Sequence, residues 1–109
     1  MNSINSLSQA LSHERAMNSF KSVIKKQLKQ ADRGSLSVDD IYVLLAISNQ
    51  IYSIREIGPY LNAERYTVSK SCQRLLKAGL IGRTVSEDDQ RNFIFNITSD
   101  GETLLQTLS

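Results

Sequence analysis

The sequence predicts a mainly α-helical fold that carries one small β-hairpin, which places the protein in the α+β class. Apolar residues recur at helical spacing over most of the chain. Two short segments rich in β-branched and aromatic residues follow one another near the end. The chain has 109 residues, which is too short for a large multidomain enzyme.

Composition excludes several classes of protein. Hydrophobic residues make up 40% of the chain, which is enough for a core and too many for a disordered tail. The net charge of +2 is compatible with nucleic-acid binding without demanding it. We expect no membrane span, because no run of about 18 apolar residues is present. The polar N-terminus does not resemble a signal peptide.

Residues that commonly bind metals or act as nucleophiles are scarce. The chain has one histidine and one cysteine, Cys72, so it cannot form an intramolecular disulfide, and a cytoplasmic location is expected. Motifs for metal binding, nucleophilic catalysis or phosphate cradling are absent from the sequence. We therefore expect no metal, no cofactor and no enzyme activity. Packing is a more frequent role for a cysteine such as Cys72 than redox switching.

The first predicted helix covers residues 14–31. Its apolar side chains recur every three or four residues, as Met17, Phe20, Ile24 and Leu28. A ridge of lysines runs beside them. Earlier apolar residues fall on another face of the same helix, so a break or kink is expected near Ser12, which is also a candidate N-cap. Gly34 is expected to end the helix in the left-handed conformation.

Two helices are predicted in the middle of the chain. Ser37 caps the first of them, and Asp39 and Asp40 suit its first turn. Residues 41–47 are apolar on nearly all sides, which predicts a central position in the domain. A capping box formed by Ser53, Ile54, Arg55 and Glu56 opens the next helix. That short helix contains Pro59, and a distortion is expected there.

A fourth helix is predicted at about residues 64–78, with Gly79 ending it. The segments "LIGRTV" and "RNFIFNIT" form the two strands of a hairpin. A further capping box, from Ser99 to Glu102, opens the last helix. Two short helices joined by a tight turn and followed by a hairpin form a winged helix-turn-helix. The predicted domains are an N-terminal helical segment, residues 1–35, and the winged helix-turn-helix, residues 36–109.

The fourth helix has an apolar face and a polar face. Val68, Cys72 and Leu75 point to one side. The opposite side carries Tyr66, Thr67, Ser69, Lys70, Gln73, Arg74 and Lys77. Such side chains can bond phosphates and base edges in the major groove of DNA. A solvated amphipathic helix explains the same pattern equally well, so the pattern alone leaves DNA binding open.

A combination of spaced residues extends from this helix through the hairpin. It consists of Thr67-Val68-Ser69-Lys70, Arg74-Leu75, Gly79-Leu80-Ile81, Arg83, Asp89-Gln90-Arg91, Thr98 and Gly101. In this combination the sequence resembles the MarR family of bacterial winged-helix regulators and, more distantly, the SarA-type regulators. The spacings agree without a gap, and the match covers about residues 36–105. The resemblance implies that the fourth helix enters the major groove.

The resemblance also implies roles for the hairpin tip and for the N-terminal helix. Arg91 would reach into the minor groove, and Asp89 would hold the shape of the tip. Family members usually continue through another long helix that makes much of the dimer, whereas this chain stops at Ser109. A homodimer is therefore expected to rest on residues 1–31 and 99–109, mainly on the N-terminal segment, with Met17, Phe20, Ile24 and Leu28 as its apolar stripe. The resemblance leaves a small-molecule effector open.

The function expected from this combination is a sequence-specific regulator of transcription that binds double-stranded DNA, acting as a homodimeric repressor. One alternative keeps DNA binding but assigns it to plasmid or phage partition or replication. Another alternative is a winged helix that serves as a protein-interaction module. An enzyme has the least support, because the sequence contains no catalytic constellation.

Overall fold

The computed structural model describes residues 2–85 and 93–108, apart from the side chains of residues 2–8, 10, 13, 14 and 17. The described elements are α1 (Asn2–Gln30), α2 (Val38–Ser48), α3 (Ile54–Leu61), α4 (Arg65–Lys77), β1 (Ile81–Val85), β2 (Phe93–Ile97) and α5 (Ser99–Thr107). This order confirms the predicted mainly α fold with one hairpin. The chain forms two compact units, Met1–Gly34 and Ser35–Ser109. No described helix combines the length and apolar character needed to cross a membrane.

The first unit consists of α1 and the turn after it. The helix is continuous from Asn2 to Gln30, so a break or an N-cap at Ser12 is wrong, and a kink there stays a prediction; neither glycine nor proline interrupts residues 2–30. The expected left-handed glycine is also wrong, because Asp32 takes that conformation with a φ of 58°. The N–H of Arg33 donates to the Leu28 carbonyl oxygen at 2.7 Å, and the N–H of Asp32 donates to that of Lys29 at 3.1 Å. This is a Schellman motif with aspartate at its left-handed position.

In the second unit, α2 is the central helix, as predicted. It begins with a reciprocal capping box. The Ser37 hydroxyl accepts the N–H of Asp40 at 3.2 Å, and the Asp40 carboxylate accepts the N–H of Ser37 at 3.0 Å. Five apolar side chains of α2 are at most 3% exposed: Ile41, Val43, Leu44, Ala46 and Ile47. A helix buried on this many sides fixes the positions of the elements that pack around it.

The short helix α3 is capped by Ser53 as predicted, with one of the two hydrogen bonds of the expected capping box, and passes through its proline. The Ser53 hydroxyl accepts the N–H of Glu56 at 3.2 Å. The helix continues past Pro59 to Leu61 without interruption, and Asn62, in the left-handed conformation with a φ of 53°, ends it. The proline lies in the second half of an eight-residue helix, where only one backbone hydrogen bond depends on its missing N–H.

The hairpin joins the core through one face. Strands β1 and β2 pair antiparallel, with Ile81 opposite Ile97 and Arg83 opposite Phe95. Phe95 is 2% exposed and packs inward. Its N–H donates to the carbonyl oxygen of Tyr52 at 2.8 Å, which ties the segment before α3 to the hairpin. Residues 86–92, and with them the predicted Asp89 and Arg91, lie outside the described residues.

Helix α5 is capped by Thr98, so the expected capping box at Ser99 is wrong. The Thr98 hydroxyl accepts the N–H of Gly101 at 3.1 Å. It also donates to the carbonyl oxygen of Gly79 at 2.8 Å. Gly79 has a φ of 75° and forms the left-handed end of α4, as predicted. Thr98 therefore fixes the start of α5 to the end of α4, a second role that Ser99 does not fill.

Gly101 is a buried position where a side chain has no room. A Cβ atom there would collide with the carbonyl oxygen of Leu80 and lie 2.8 Å from Cγ1 of Ile97. Gly101→Ala should therefore lower the free energy of unfolding by about 1–3 kcal/mol. Gly82→Ala is the matched control, because a Cβ atom at that strand position meets nothing within 4 Å. Urea denaturation compares the two variants, and equal midpoints would contradict tight packing at Gly101.

Candidate nucleic-acid interface

Helix α4 presents the two faces that the sequence predicts. Val68 and Leu75 are 0% exposed and lie in the core. The polar set behaves differently: Tyr66, Thr67, Lys70, Gln73, Arg74 and Lys77 are all exposed, and Ser69 is half-buried at the border. Tyr66 is the most open of the exposed large apolar or aromatic side chains, at 70%. The helix therefore offers a continuous polar surface to a ligand.

The exposed face of α4 has a central ridge and two flanks. The outer ridge consists of Tyr66, Lys70, Gln73 and Lys77, which fall within about 60° of rotation about the helix axis. The Lys70 ammonium nitrogen lies 5.5 Å from the centroid of the Tyr66 ring, within the range of a cation–π interaction. Ser69 lies on the flank towards the hairpin. Thr67 and Arg74 lie on the flank towards α2.

A cleft of about 300 Å³ opens beside the outer ridge, on the hairpin side. Three arginines from three elements line it: Arg55 of α3, Arg65 of α4 and Arg83 of β1. We refer to this feature as the basic cleft. Gln73 of the outer ridge also lines it, so the ridge and the cleft form one surface. Three guanidinium groups around one concave site make a strong anion-binding arrangement.

Arg83 is held in place by an aromatic ring. Its guanidinium carbon lies 4.5 Å from the centroid of the Phe93 ring, and Phe93 is 39% exposed. Stacking of this kind covers the face of the guanidinium and leaves its N–H groups at the edges. Among the described residues no ion pair or hydrogen bond occupies those donors, so they can bind an oxygen ligand in the basic cleft.

Sequence reasoning did not include Arg55, Arg65 or Arg83 among the site residues. Arg83 was noticed only as part of the family pattern. Arg65 lies close to the buried side of α4 by its angle on the helix, and Arg55 belongs to a different helix. Their common location follows from the tertiary structure, so no local pattern in the sequence could have grouped them.

Arg74 forms an ion pair with a buried carboxylate. Its Nη2 donates to Oδ1 of Asp40 at 2.8 Å, and its Nε donates to Oδ2 at 2.9 Å. The Asp40 side chain is 0% exposed, whereas the Arg74 side chain is 44% exposed. Burial raises the pKa of Asp40, but hydrogen bonds from Arg74, Ser37 and Ser71 outweigh it and hold the pKa below its ordinary value. The hydrogen bond to Asp40 raises the pKa of Arg74.

Cys72 lies at the inner wall of the basic cleft but is 2% exposed. Burial, and to a smaller extent the charge of Asp40, raises the pKa of its thiol from 9.0 to about 12. The thiol is therefore protonated at neutral pH and is a poor nucleophile. These properties favour the packing role over a redox switch.

The remaining predicted residues belong to α1. Phe20 is 47% exposed, Ile24 and Leu28 are buried, and the side chain of Met17 lies outside the described set. Leu11 and Val23 are also exposed, at 56% and 50%. Within the described part of the chain, no group of three or more histidine, cysteine, aspartate or glutamate side chains could hold a metal ion.

Comparison with known proteins identifies the family. Residues 19–108 match the family model of the transcriptional regulator SarA/Rot, which covers most of the chain. The chain belongs to the SarA/Rot family of transcriptional regulators. This family is one of regulators and not of enzymes, as the sequence led us to expect.

A curated relative of this SarA/Rot-family chain is an uncharacterized HTH-type transcriptional regulator, YhjH of Bacillus subtilis. The two are 27% identical over 81 residues. The match covers 73% of the chain and 46% of the relative, so the chain spans about half the length of YhjH.

Two solved structures show the same fold. One is a MarR family transcription regulator that is 19% identical, with a TM-score of 0.79 over 98% of this chain and 70% of that one. The other is a variant of MepR from S. aureus bound to an oligodeoxyribonucleotide. It is 22% identical, with a TM-score of 0.71 over 96% of this chain and 72% of that one. These matches confirm the predicted winged-helix fold, and the family model confirms the SarA-like resemblance.

The raised pKa of Cys72 predicts a dependence of stability on pH. In the unfolded chain the thiol ionises near its ordinary pKa of 9.0, whereas in the folded protein it stays protonated up to about 12. Below pH 9 the thiol is protonated in both states and does not lower the free energy of unfolding. Between its unfolded pKa of 9.0 and its folded pKa of about 12, the free energy of unfolding should fall by about 1.4 kcal/mol per pH unit. Urea denaturation of the parent and of Cys72→Ala from about pH 8 to about pH 10.5 isolates the effect. The two curves should converge, and parallel curves would contradict the shift.

Proposed function

We propose that this SarA/Rot-family protein is a sequence-specific regulator of transcription that binds double-stranded DNA and acts as a homodimeric repressor in the cytoplasm. The observation that carries the proposal is the joint surface of the outer ridge of α4 and the basic cleft. An exposed helix beside a concave cluster of three arginines suits a duplex, which offers base edges in a groove and phosphates along its rim.

The outer ridge supplies the groups that contact bases. Lys70 and Lys77 can donate to guanine or to phosphate, and the amide of Gln73 can pair with adenine. The exposed ring of Tyr66 lies beside Lys70, so the two side chains form one contact at the N-terminal half of the helix. An α-helix with such side chains fits the width of the major groove.

The basic cleft supplies the contacts that position the protein. Arg55, Arg65 and Arg83 converge from three elements and can bind phosphate oxygens of one strand beside the major groove. Phosphate contacts set register and orientation without reading sequence. The structural relative bound to an oligodeoxyribonucleotide supports a DNA ligand for this fold. Arg91 in the minor groove, with Asp89 orienting it, remains a proposal that rests on the family resemblance.

The homodimer is proposed on the apolar surface of α1. Phe20 and Val23 are about half exposed on neighbouring faces of α1, whereas Leu11 lies on the face opposite Phe20. A second copy of the chain would cover Phe20 and Val23, and Met17 belongs to the same predicted stripe as Phe20. We propose residues 1–35 as the dimerisation segment and residues 36–109 as the DNA-binding domain. A two-fold dimer presents its two α4 helices roughly 34 Å apart, so the operator should be a near-palindrome.

Binding to DNA recovered from a random pool tests the function. Arg83→Ala should weaken binding to selected and unrelated DNA alike and lower the salt slope by about one phosphate equivalent. Gln73→Ala should cost roughly 1–3 kcal/mol on the selected site and relax preference at particular base pairs. Lys25→Ala on α1 is the charge control and should leave base preference unchanged.

Three outcomes of that experiment separate the proposed roles. Isolated near-palindromes support a regulator, whereas arrays of repeated sites point to partition or replication. DNA recognition would be refuted if the affinity for every DNA stays at the non-specific level and neither Arg83→Ala nor Gln73→Ala changes it. That result would favour a protein-interaction module instead.

The oligomeric state tests the role of α1. Phe20→Glu places a charge in the proposed apolar interface and should shift the protein from dimer to monomer, because an unpaired carboxylate is costly to bury. Lys21→Glu changes a neighbouring exposed side chain and is the control. Sedimentation velocity at micromolar concentration measures both variants. A parent protein that remains monomeric on its selected DNA would contradict the homodimer.

A further inference from the structure

We propose that Asp40, a residue buried away from any DNA, is a positioning residue that sets sequence preference by fixing the rotation of α4. It does so through Arg74, which it holds against α2. The inference rests on the proposed function, in which the outer ridge of α4 enters the major groove. It assigns to Arg74 a role different from the base or phosphate contact predicted from the sequence.

The carboxylate of Asp40 is fully engaged. Oδ2 accepts the N–H of Ser37 at 3.0 Å and Nε of Arg74 at 2.9 Å. Oδ1 accepts Nη2 of Arg74 at 2.8 Å and lies 3.2 Å from Nε. Two parallel donors on one carboxylate fix both the distance and the direction of the guanidinium. Because the Asp40 side chain is 0% exposed, water does not compete for these hydrogen bonds.

The position of this ion pair determines what it constrains. Asp40 lies in the first turn of the central helix α2, and Arg74 lies in the second half of α4, 34 residues away. The apolar contacts of α4 with the core permit small rotations, because they have no direction. A rotation of about 20° moves a side-chain donor on the outer ridge by roughly 2 Å, given a helix radius of about 5–6 Å with side chains. That displacement exceeds the tolerance of a hydrogen bond to a base.

The same hydrogen bonds limit what Arg74 can do itself. Its Nε and Nη2 face Asp40, and Nη2 also lies 3.4 Å from the Ser71 hydroxyl. The edge of the guanidinium formed by Nε and Nη2 is therefore occupied. Of the three guanidinium nitrogens of Arg74, Nη1 is the one that has no partner among the described residues. Arg74 also lies on the flank of α4 towards α2, about 70° from the middle of the outer ridge. Base reading falls instead to Lys70 and Gln73.

Asp40 also completes the capping box of α2, so a purely local role must be separated from positioning. Asp40→Asn does this, because the amide oxygen can still accept the N–H of Ser37 while the amide N–H₂ group faces the Arg74 donors. Arg74→Met removes the other partner. The double variant removes both charges, so neither charge is left without its partner, which is what makes removal of one partner costly.

The test is a double-mutant cycle in sequence preference. Parent, Asp40→Asn, Arg74→Met and the double variant are titrated with the selected site, its single-base variants and unrelated DNA. Each single variant should lower the ratio of its affinity for the selected site to its affinity for unrelated DNA about tenfold. The loss of preference should be distributed over several base pairs of the site. The double variant should fall no further than the single ones and should regain stability without regaining preference. A merely structural role predicts that preference returns together with stability.

Two results would overturn the inference. One is a loss of preference confined to a single base pair in Arg74→Met while Asp40→Asn keeps it, since Arg74 would then read that base directly. The other is parental preference in all variants. Circular dichroism verifies folding. If Asp40→Asn does not fold, Asp40→Glu replaces it, because it keeps the charge on a side chain that is one methylene longer. It should still lower the ratio of the affinity for the selected site to the affinity for unrelated DNA.

A readout without DNA distinguishes failure of the inference from failure of the proposed function. If the parent selects no sequence from the pool, the proposed function fails and the positioning claim is judged by hydrogen exchange. The amides of α4 should lose protection in both single variants, relative to those of α5. Unchanged protection of α4 would refute the claim that the ion pair holds this helix.

Discussion

The arrangement of the helix-turn-helix depends on the hydrogen bonds made by the buried carboxylate of Asp40. This carboxylate closes the capping box at the start of α2 and binds the guanidinium of Arg74 on α4. Because these partners hold its pKa below the ordinary 3.8, the carboxylate is ionised at neutral pH. Its contribution to stability is complete above that ordinary value and is lost as the pH falls through the lowered one. The geometry of α2 and α4 is therefore coupled to a charge in the core.

A buried ion pair is a weak means of stabilising a protein, because desolvation of both charges opposes their attraction. An apolar pair at positions 40 and 74 would pack α2 against α4 with similar stability. It would not fix the rotation of α4, since apolar contacts have no preferred direction. Val68 and Leu75 already supply the apolar packing of this helix, at 0% exposure. The pair of Asp40 and Arg74 adds direction, which the proposed reading of base edges by α4 would require.

Local patterns in the sequence were sufficient to predict the elements, and non-local contacts explain where the prediction of the site was incomplete. Apolar periodicity and capping residues are properties of neighbouring residues, so α2, α4 and the hairpin could be located. Asp40 was assigned to the helix dipole and Arg74 to the exposed face, because their partnership spans 34 residues. The error at Thr98 has a related cause. The adjacent Ser99 is equally able to cap, and the tertiary contact from Thr98 to Gly79 decides between them.

The two flanks of α4 differ in charge, and under the proposed function this difference would orient a duplex on the surface. On the hairpin side lie Arg55, Arg65 and Arg83 of the basic cleft. On the α2 side, a second cavity of about 250 Å³ is lined by Asp39 and Glu64. The net charge of the whole chain is only +2, so strong binding has to come from the placement of charge and not from its total. Phosphates are attracted to the hairpin flank and repelled from the other. The strand beside the major groove should therefore run over the basic cleft, which brings Gln73, shared by the ridge and the cleft, closest to the base edges.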